Sequence, residues 1–465
     1  MEKHFSRYLP WLLVLLCLGL RLPHITTFAI QHDEPFSIFT SNLAWSEFWQ
    51  VFLNENNPPL HPILLKFVIE TFGLSDFWMR FLSVALSSLA VFFIYKTADL
   101  LSGMKAGIIA SLIFCFSNLQ IVYAHQIRAY ALLVFLSAVS IYLLIKLIKT
   151  DNKKTFILLG VVNALLLYTH FMGLVFVGLS GISLVIYFNQ KTVFKNLMSA
   201  YWISILLFAP YLPIFLDRLL WVNGDTWAEP PTSMMSIYFT FWKFFNAPLN
   251  TILGILTLLT GVVFINRADK IKKEMILLLS MVVSTFVLLY FISLYLPIYV
   301  ERYLIFIAPV LYLSIGIILS KAIQLVPTKT GWILTFIFPI LFIATFKIKS
   351  DINQVKTDKW AIINSIKEDK TVVLSPAWND VNYCYHTNKE LYFVKSLAEF
   401  VKLRQKDYIF ADYELVDTWK ENATNRRVLV SINDNNKHAG FQKMLNDHFI
   451  LVQQLSDELF EYKVK

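Results

Sequence analysis

Apolar runs, each close to the length needed to cross the ~30 Å hydrocarbon layer of a bilayer, recur eleven times between Tyr8 and Phe346. They span about Tyr8 to His24, Phe77 to Tyr95, Ala106 to Val122, Ala129 to Lys149, Thr155 to Thr169, Phe171 to Phe188, Leu197 to Leu216, Leu249 to Ile265, Met275 to Leu296, Tyr303 to Lys321 and Gly331 to Phe346. Lipid offers no partner to a bare backbone polar group, so segments of this kind must be helical. Composition agrees: 57% of the 465 residues are apolar and 16% charged, where soluble domains carry about a quarter. The expected fold is a polytopic α-helical membrane protein of about eleven transmembrane helices. Lys3 and Arg7 ahead of the first run resemble a secretory signal, but Arg21, Pro23 and His24 close it without a small-residue cleavage pattern, so it is expected to stay as a helix.

Charge divides the chain in two. From Ser350 to Lys465 there are 16 basic and 17 acidic residues, whereas the remainder carries a net charge of +10. The excess cations sit in short segments between apolar runs, such as Lys146 to Lys154 and Arg267 to Lys273, and not in the solvated stripe that nucleic acid requires. Read as orientation signals, they place the N-terminus in the cytoplasm and the tail outside, after eleven crossings of the plasma (inner) membrane. Two domains are expected: 1–349, a membrane domain with a long first outer loop at 25–76, and 350–465, a small extracytoplasmic α/β domain with a helix near Trp360 to Ile366 and strands near Thr371 to Leu374, Tyr408 to Phe410 and Val428 to Ile432. The three cysteines, Cys17, Cys115 and Cys384, suggest neither a disulfide framework nor a CxxC metal site. The Asn422-Ala423-Thr424 sequon matches a glycosylation acceptor, a pattern common by chance.

In the first outer loop Trp45, Phe48, Trp49 and Phe52 follow the spacing of one helix face. Such a helix suits the lipid headgroup layer or a packing role against the protein, and the spacing alone does not choose. A transporter needs ionisable groups near mid-membrane, yet the deepest strongly polar side chain in the runs is Asn163. The ionisable residues gather instead in outer segments: AIQHDEPFS, NENNPPLHP, YAHQIRAYA, YTHF and VERY.

Each of these segments has an ordinary structural role beside a chemical one. Gln31-His32-Asp33-Glu34 would serve as a solvated loop or helix N-cap, but a carboxylate in a partly dry site also acts as a general base toward a hydroxyl. Pro58-Pro59 fixes a turn before an apolar helix and places His61 at its start. Arg128 and Arg302 stand at the outer ends of two apolar runs, where arginine often only anchors a helix. Their planar forks also suit a phosphate.

Taken in order, HDEPFS, NPPLHPILLK, FWMRFLSVALSSLAVFFIY, YAHQIRAYALLVF, LLYTHFMGLVFV and ERYLIFIAPVLYL resemble the integral-membrane GT-C glycosyltransferases, near the protein O-mannosyltransferase and aminoarabinose-transferase branch and its bacterial relatives. The resemblance covers about Tyr8 to Arg302. It implies transfer of a sugar from a polyprenyl-phosphate-linked donor to an acceptor hydroxyl at the outer membrane face. Asp33 matches the catalytic acidic residue, while Glu34, His32 and His61 would orient the site or contact the acceptor. Arg128 and Tyr130 match an RxY pattern at the donor phosphate, where His125 and Arg302 would join them. Gln126-Ile127 stand where many relatives carry an acidic residue before the arginine, which puts any contact assigned to that position in doubt.

A lipid-phosphate leaving group departs as an anion without a proton, so one base and a few cations are enough, and single-step inversion is expected. No dense carboxylate or histidine cluster calls for an obligate metal, and a divalent cation stays open as the one cofactor. The partners expected are the lipid-linked donor, membrane lipid, and a protein, lipid or polysaccharide acceptor, with no nucleic acid. The rival classes are a lipid-linked-sugar flippase or transporter and a noncatalytic membrane assembly protein.

Overall fold

A computed structural model describes residues 2–27, 30, 33–53, 55, 57–150, 152–221, 230–264, 271–324 and 328–347, and in the tail 357–366, 371–375, 380–388, 392–393, 395–396, 397–404, 409–410, 427–432, 445–456 and 459–465. The chain forms two compact units. One comprises 1–26 and 55–349; the other comprises 27–54 and 350–465.

The first unit is helical. Asp76–Ser102, Tyr130–Thr150, Lys272–Ser293 and Glu301–Ile323 are each long and apolar enough to cross a membrane. Three bent pairs meet the same test together: Met104–Cys115 with Asn118–Ala124 at 59°, Lys191–Phe208 with Leu212–Arg218 at 79°, and Met235–Phe245 with Pro248–Val263 at 104°. That makes up to seven spans among the described residues. Shorter apolar helices cover Phe171–Ile186 and Lys329–Ala344. All eleven apolar runs fall on helix, but several are broken or short. Large apolar side chains such as Leu206 and Val263 stand exposed, as a lipid-facing surface demands.

The elements around the site are α1 (Glu2–Arg21), α4 (Leu60–Phe72), α5 (Asp76–Ser102), α6 (Met104–Cys115), α7 (Asn118–Ala124), α8 (Tyr130–Thr150), α9 (Lys153–Leu167), α10 (Phe171–Ser180) and α18 (Ala308–Ile323). Gly103, at φ 82°, takes a left-handed conformation that lets α6 follow α5 with no intervening loop. Gly316 of α18 sits so close to α6 that a Cβ there would meet the Ala106 carbonyl at 2.7 Å.

Helix breaks free backbone groups, and polar side chains satisfy them. At the α6–α7 break, Asn246 Oδ1 accepts the Asn118 backbone N–H at 2.8 Å, while Asn246 Nδ2 donates to the Phe116 carbonyl at 2.8 Å. Asn246 itself holds a φ of 65°, a conformation that asparagine tolerates better than most residues. The Tyr312 hydroxyl lies 2.9 Å from Ser117 Oγ and donates to the Phe244 carbonyl at 2.8 Å. Asn163 Oδ1 in turn accepts the Ser140 hydroxyl at 2.6 Å, which ties α8 to α9 at the deepest strongly polar side chain of the runs.

The second unit is α/β. Its five strands, β1 (Thr371–Ser375), β2 (Ile409–Phe410), β3 (Arg427–Ile432), β4 (Phe449–Ser456) and β5 (Leu459–Val464), form one sheet in the order β2-β1-β3-β5-β4. β1 runs parallel to β2 and β3 with Val373 beside Val430, while β5 is antiparallel to both β3 and β4. Continuous apolar runs such as Val372-Val373-Leu374 are buried, as central strands require. Three strands match the sequence expectation, and the β4–β5 hairpin is additional. The helix Thr357–Ile366 covers the expected one, while Tyr408 and the sequon at Asn422 lie outside the described residues.

Segment 27–54, which the sequence assigned to the membrane domain, folds with the tail. Its helices are α2 (Glu34–Asn42) and α3 (Trp45–Phe52). The Phe39 ring packs 4.7 Å from Phe400, the Ala44 N–H donates to the Lys395 carbonyl at 3.2 Å, and the Ser396 hydroxyl meets Glu47 Oε1 at 3.1 Å. Phe39 finds its ring partners Tyr392 and Phe400 in the tail, so the segment shares a core with it, while Phe48 and Phe52 pack on each other. On α3, Phe48 and Phe52 are buried while Trp45 and Trp49 are exposed, which divides the expected single face.

Candidate functional site

Within the helical unit, the fold ties together the start of α4, the bend between α7 and α8, and the turn between α9 and α10. The Leu60 N–H donates to the Tyr168 carbonyl at 3.0 Å, linking the first of these to the third. The bend carries Arg128 and is held by Ser83 Oγ, which donates to the Gln126 carbonyl at 2.8 Å. Arg128 is half-buried there.

His170 occupies the N-cap of α10, where its Nδ1 accepts the Met172 backbone N–H at 3.1 Å. A ring nitrogen that accepts a backbone N–H carries no proton, so the imidazole is protonated at Nε2. The ring packs against Tyr130 and Tyr303, with centroid distances of 5.9 and 5.6 Å. Tyr123 packs edge-on to Tyr130 at 5.1 Å, and the Arg302 guanidinium sits 5.4 Å from the Tyr303 ring centre.

Burial pushes the His170 pKa down to about 3, and the positive charges of both Arg128 and Arg302 add to that shift. Those two arginines stand 174 positions apart in the sequence, yet one imidazole feels both. His61 behaves alike: burial first, then the Arg128 charge, takes it to about 3. Its Nε2 is buried with no hydrogen-bond partner among the described residues. At neutral pH both rings are uncharged, and Arg128 and Arg302 supply the positive charge.

His125, three positions before Arg128, belongs to another group. Its Nε2 lies 2.8 Å from the Arg21 carbonyl at the end of α1. Burial lowers its pKa to about 4, with Arg21 and Arg80 as the neighbouring charges. Arg80 is fully buried and donates to the Ile25 carbonyl at 3.1 Å. Residues three apart in a non-helical bend do not share a face, and sequence spacing hides this division.

In the α/β unit, Asp33 is the N-cap residue of α2, but its side chain makes no capping hydrogen bond. The Asp33 carbonyl accepts the Ser37 N–H and hydroxyl, both at 3.2 Å. Glu34 opens the helix and is 5% exposed. His32 lies outside the described residues. Among the described residues no three His, Cys, Asp or Glu side chains gather as a metal site would need.

The residue that sequence reasoning left without a role is His170. Its signal was the pair of apolar runs that meet at Thr169-His170-Phe171 with almost no loop, because a polar residue in such a joint is buried rather than solvated.

Comparison with known proteins gives the class. Residues 56–215, about a third of the chain, match the family model described as dolichyl-phosphate-mannose-protein mannosyltransferase. The chain shares its fold with ArnT from Cupriavidus metallidurans: against the form bound to undecaprenyl phosphate the TM-score is 0.61 at 10% identity, covering 99% of this chain and 97% of that one. Against the apo form it is 0.64 at 11% identity, with 97% of each covered. The archaeal oligosaccharyltransferase AglB from Archaeoglobus fulgidus, in complex with an inhibitory peptide and a dolichol-phosphate, gives 0.58 at 9% identity, covering 92% and 70%. No curated protein matches the chain in sequence. The chain thus shares the fold of ArnT and AglB, and its helical unit holds four to seven helices or bent helix pairs long and apolar enough to cross a membrane among the described residues.

Proposed function

We propose that this protein transfers a sugar from a polyprenyl-phosphate-linked donor to an acceptor hydroxyl, with inversion, at the outer face of the plasma membrane. The N-terminus is then cytoplasmic, the α/β unit extracytoplasmic, and the eleven apolar runs are eleven crossings. The observation that carries this reading is the group around His170, whose ring packs on Tyr130, two residues after Arg128, and on Tyr303, against which the Arg302 guanidinium sits at 5.4 Å, so that two half-buried cations stand near one imidazole in a setting suited to one phosphate. Support comes from the relatives: the matched family model is named for a dolichyl-phosphate sugar donor, and ArnT and AglB were solved with undecaprenyl phosphate and dolichol-phosphate.

In this mechanism Asp33 takes the proton of the acceptor hydroxyl as its oxygen attacks the anomeric carbon. The bond from that carbon to the donor phosphate breaks, and its electron pair leaves with the polyprenyl phosphate. Arg128 and Arg302 stabilise the charge that grows on the departing phosphate. Tyr130 holds its place beside His170, His61 serves as an orienting residue near Arg128, and Glu34 as an orienting or acceptor-contacting residue beside Asp33. No step asks for a metal, although a divalent cation would assist the same departure.

The test supplies purified protein in detergent with a panel of radiolabelled undecaprenyl-phosphate sugars, together with protein, lipid and polysaccharide acceptors. Transfer of one label to one acceptor class is the expected result. Stable binding of every donor with no transfer to any acceptor would sink the enzymatic reading.

A further inference from the structure

The geometry assigns His170 a role that neither the motifs nor the fold likeness supplies: we propose that its Nε2–H is a neutral third donor to the donor lipid's phosphate, in the same site as the two arginines. This rests on the reading of Arg128 and Arg302 as phosphate-binding residues.

Four observations converge on it. The Met172 N–H fixes the proton on Nε2 by occupying Nδ1. Ring contacts with Tyr130 and Tyr303 limit rotation of the imidazole. Both guanidinium charges reach it. The residue is 6% exposed. A buried N–H of this kind gains most from a hydrogen-bond acceptor that a ligand brings to it.

The electrostatics explain why an imidazole would serve here better than a third cation. A phosphodiester carries one negative charge, and the phosphomonoester it becomes carries up to two. Two arginines match that range. A third full charge would hold the product lipid phosphate and slow its release, whereas a neutral N–H adds a directional hydrogen bond without adding net charge. Burial and the two neighbouring guanidinium groups keep the ring in that neutral form at all physiological pH values.

Undecaprenyl phosphate and undecaprenol, which differ only in the phosphate, are the probes, with affinity measured for the full-length protein in detergent. His170→Phe keeps the ring contacts without the N–H, and His170→Gln keeps an N–H donor. His170→Phe should weaken undecaprenyl phosphate binding about ten-fold, the size of one hydrogen bond to a charged group, and leave undecaprenol binding unchanged. His170→Gln should recover part of the loss. Inorganic phosphate as competitor separates recognition of the phosphate alone from recognition of the lipid-borne group, and dependence on His170 in either arm supports the assignment. Wild-type affinity in His170→Phe, or an equal loss for undecaprenol, would overturn it and leave the arginine site standing. A wild-type protein that does not distinguish the phosphate from the alcohol would overturn both.

Discussion

The Tyr392 hydroxyl donates a 2.8 Å hydrogen bond to the carbonyl of Pro35, 357 positions earlier in the chain. Pro35 lies in the first turn of α2, one residue after Glu34 and two after Asp33, so a tail residue fixes the start of the helix that carries both carboxylates. Tyr392→Phe keeps the ring but removes this hydrogen bond, which should cost about 0.5 to 1.5 kcal/mol. Thermal unfolding of the full chain in detergent measures it. An unchanged midpoint would mean that the ring contacts of Tyr392 with Phe39 and Tyr385 hold α2 by themselves.

Arg128→Ala and Arg302→Ala should each weaken use of the lipid-phosphate donor by roughly 1.5 to 3 kcal/mol, the value of a charged hydrogen bond. Arg128→Lys should restore only part, because a point charge does not reproduce a bidentate fork. Donor KM for the three variants is the measurement. If both alanine variants keep the wild-type KM, these arginines are boundary anchors.

General-base catalysis contributes about 10² to 10⁴-fold in rate, so Asp33→Asn should lose most transfer while still inserting, folding and binding donor. Glu34→Gln should cost less if that buried side chain only orients the site. Transfer rates at saturating donor, normalised to folded protein, decide between them. An Asp33→Asn enzyme within a few-fold of wild type would remove Asp33 as the base.

His61 and His170 are held near pKa 3 in the fold against an ordinary 6.5. The unfolded chain therefore binds more protons than the folded one between those values. Stability from keeping each ring neutral is complete above about pH 6.5 and is lost as pH falls toward 3, at about 1.4 kcal/mol per pH unit per histidine. The unfolding midpoint should be insensitive to these groups from pH 7 to 8 and should drop below pH 6, with a shallower drop in His170→Gln. A midpoint that holds steady down to pH 4 would show that the rings titrate freely in the folded protein.

Cysteine substitutions in the tail, made in a Cys384→Ala background, should react with an impermeant maleimide on intact cells. Labelling that appears only after permeabilisation would invert the proposed orientation.

Composition and run length alone determined that this chain enters a membrane, because an apolar segment of that length has no other stable solvent, and the period of the tail residues marked an α/β unit there. The motifs also carried the resemblance to a superfamily and named Arg128 and Arg302 as candidates, and the fold the chain shares with ArnT agrees with that resemblance. They were silent on everything set by contact across the chain. Breaks such as those at Ser117 and Asn246 are satisfied by side chains far away in sequence, so one apolar run reads the same whether straight or bent. The β4–β5 hairpin depends on pairing with β3, and segment 27–54 left the membrane unit because its buried aromatics found their partners in the tail. His125 and Arg128 share one short motif, yet the bend between α7 and α8 sends them to different groups. His170 became a candidate only when three turns closed around it, since the burial and the two charges that define it come from residues its own sequence neighbourhood does not contain.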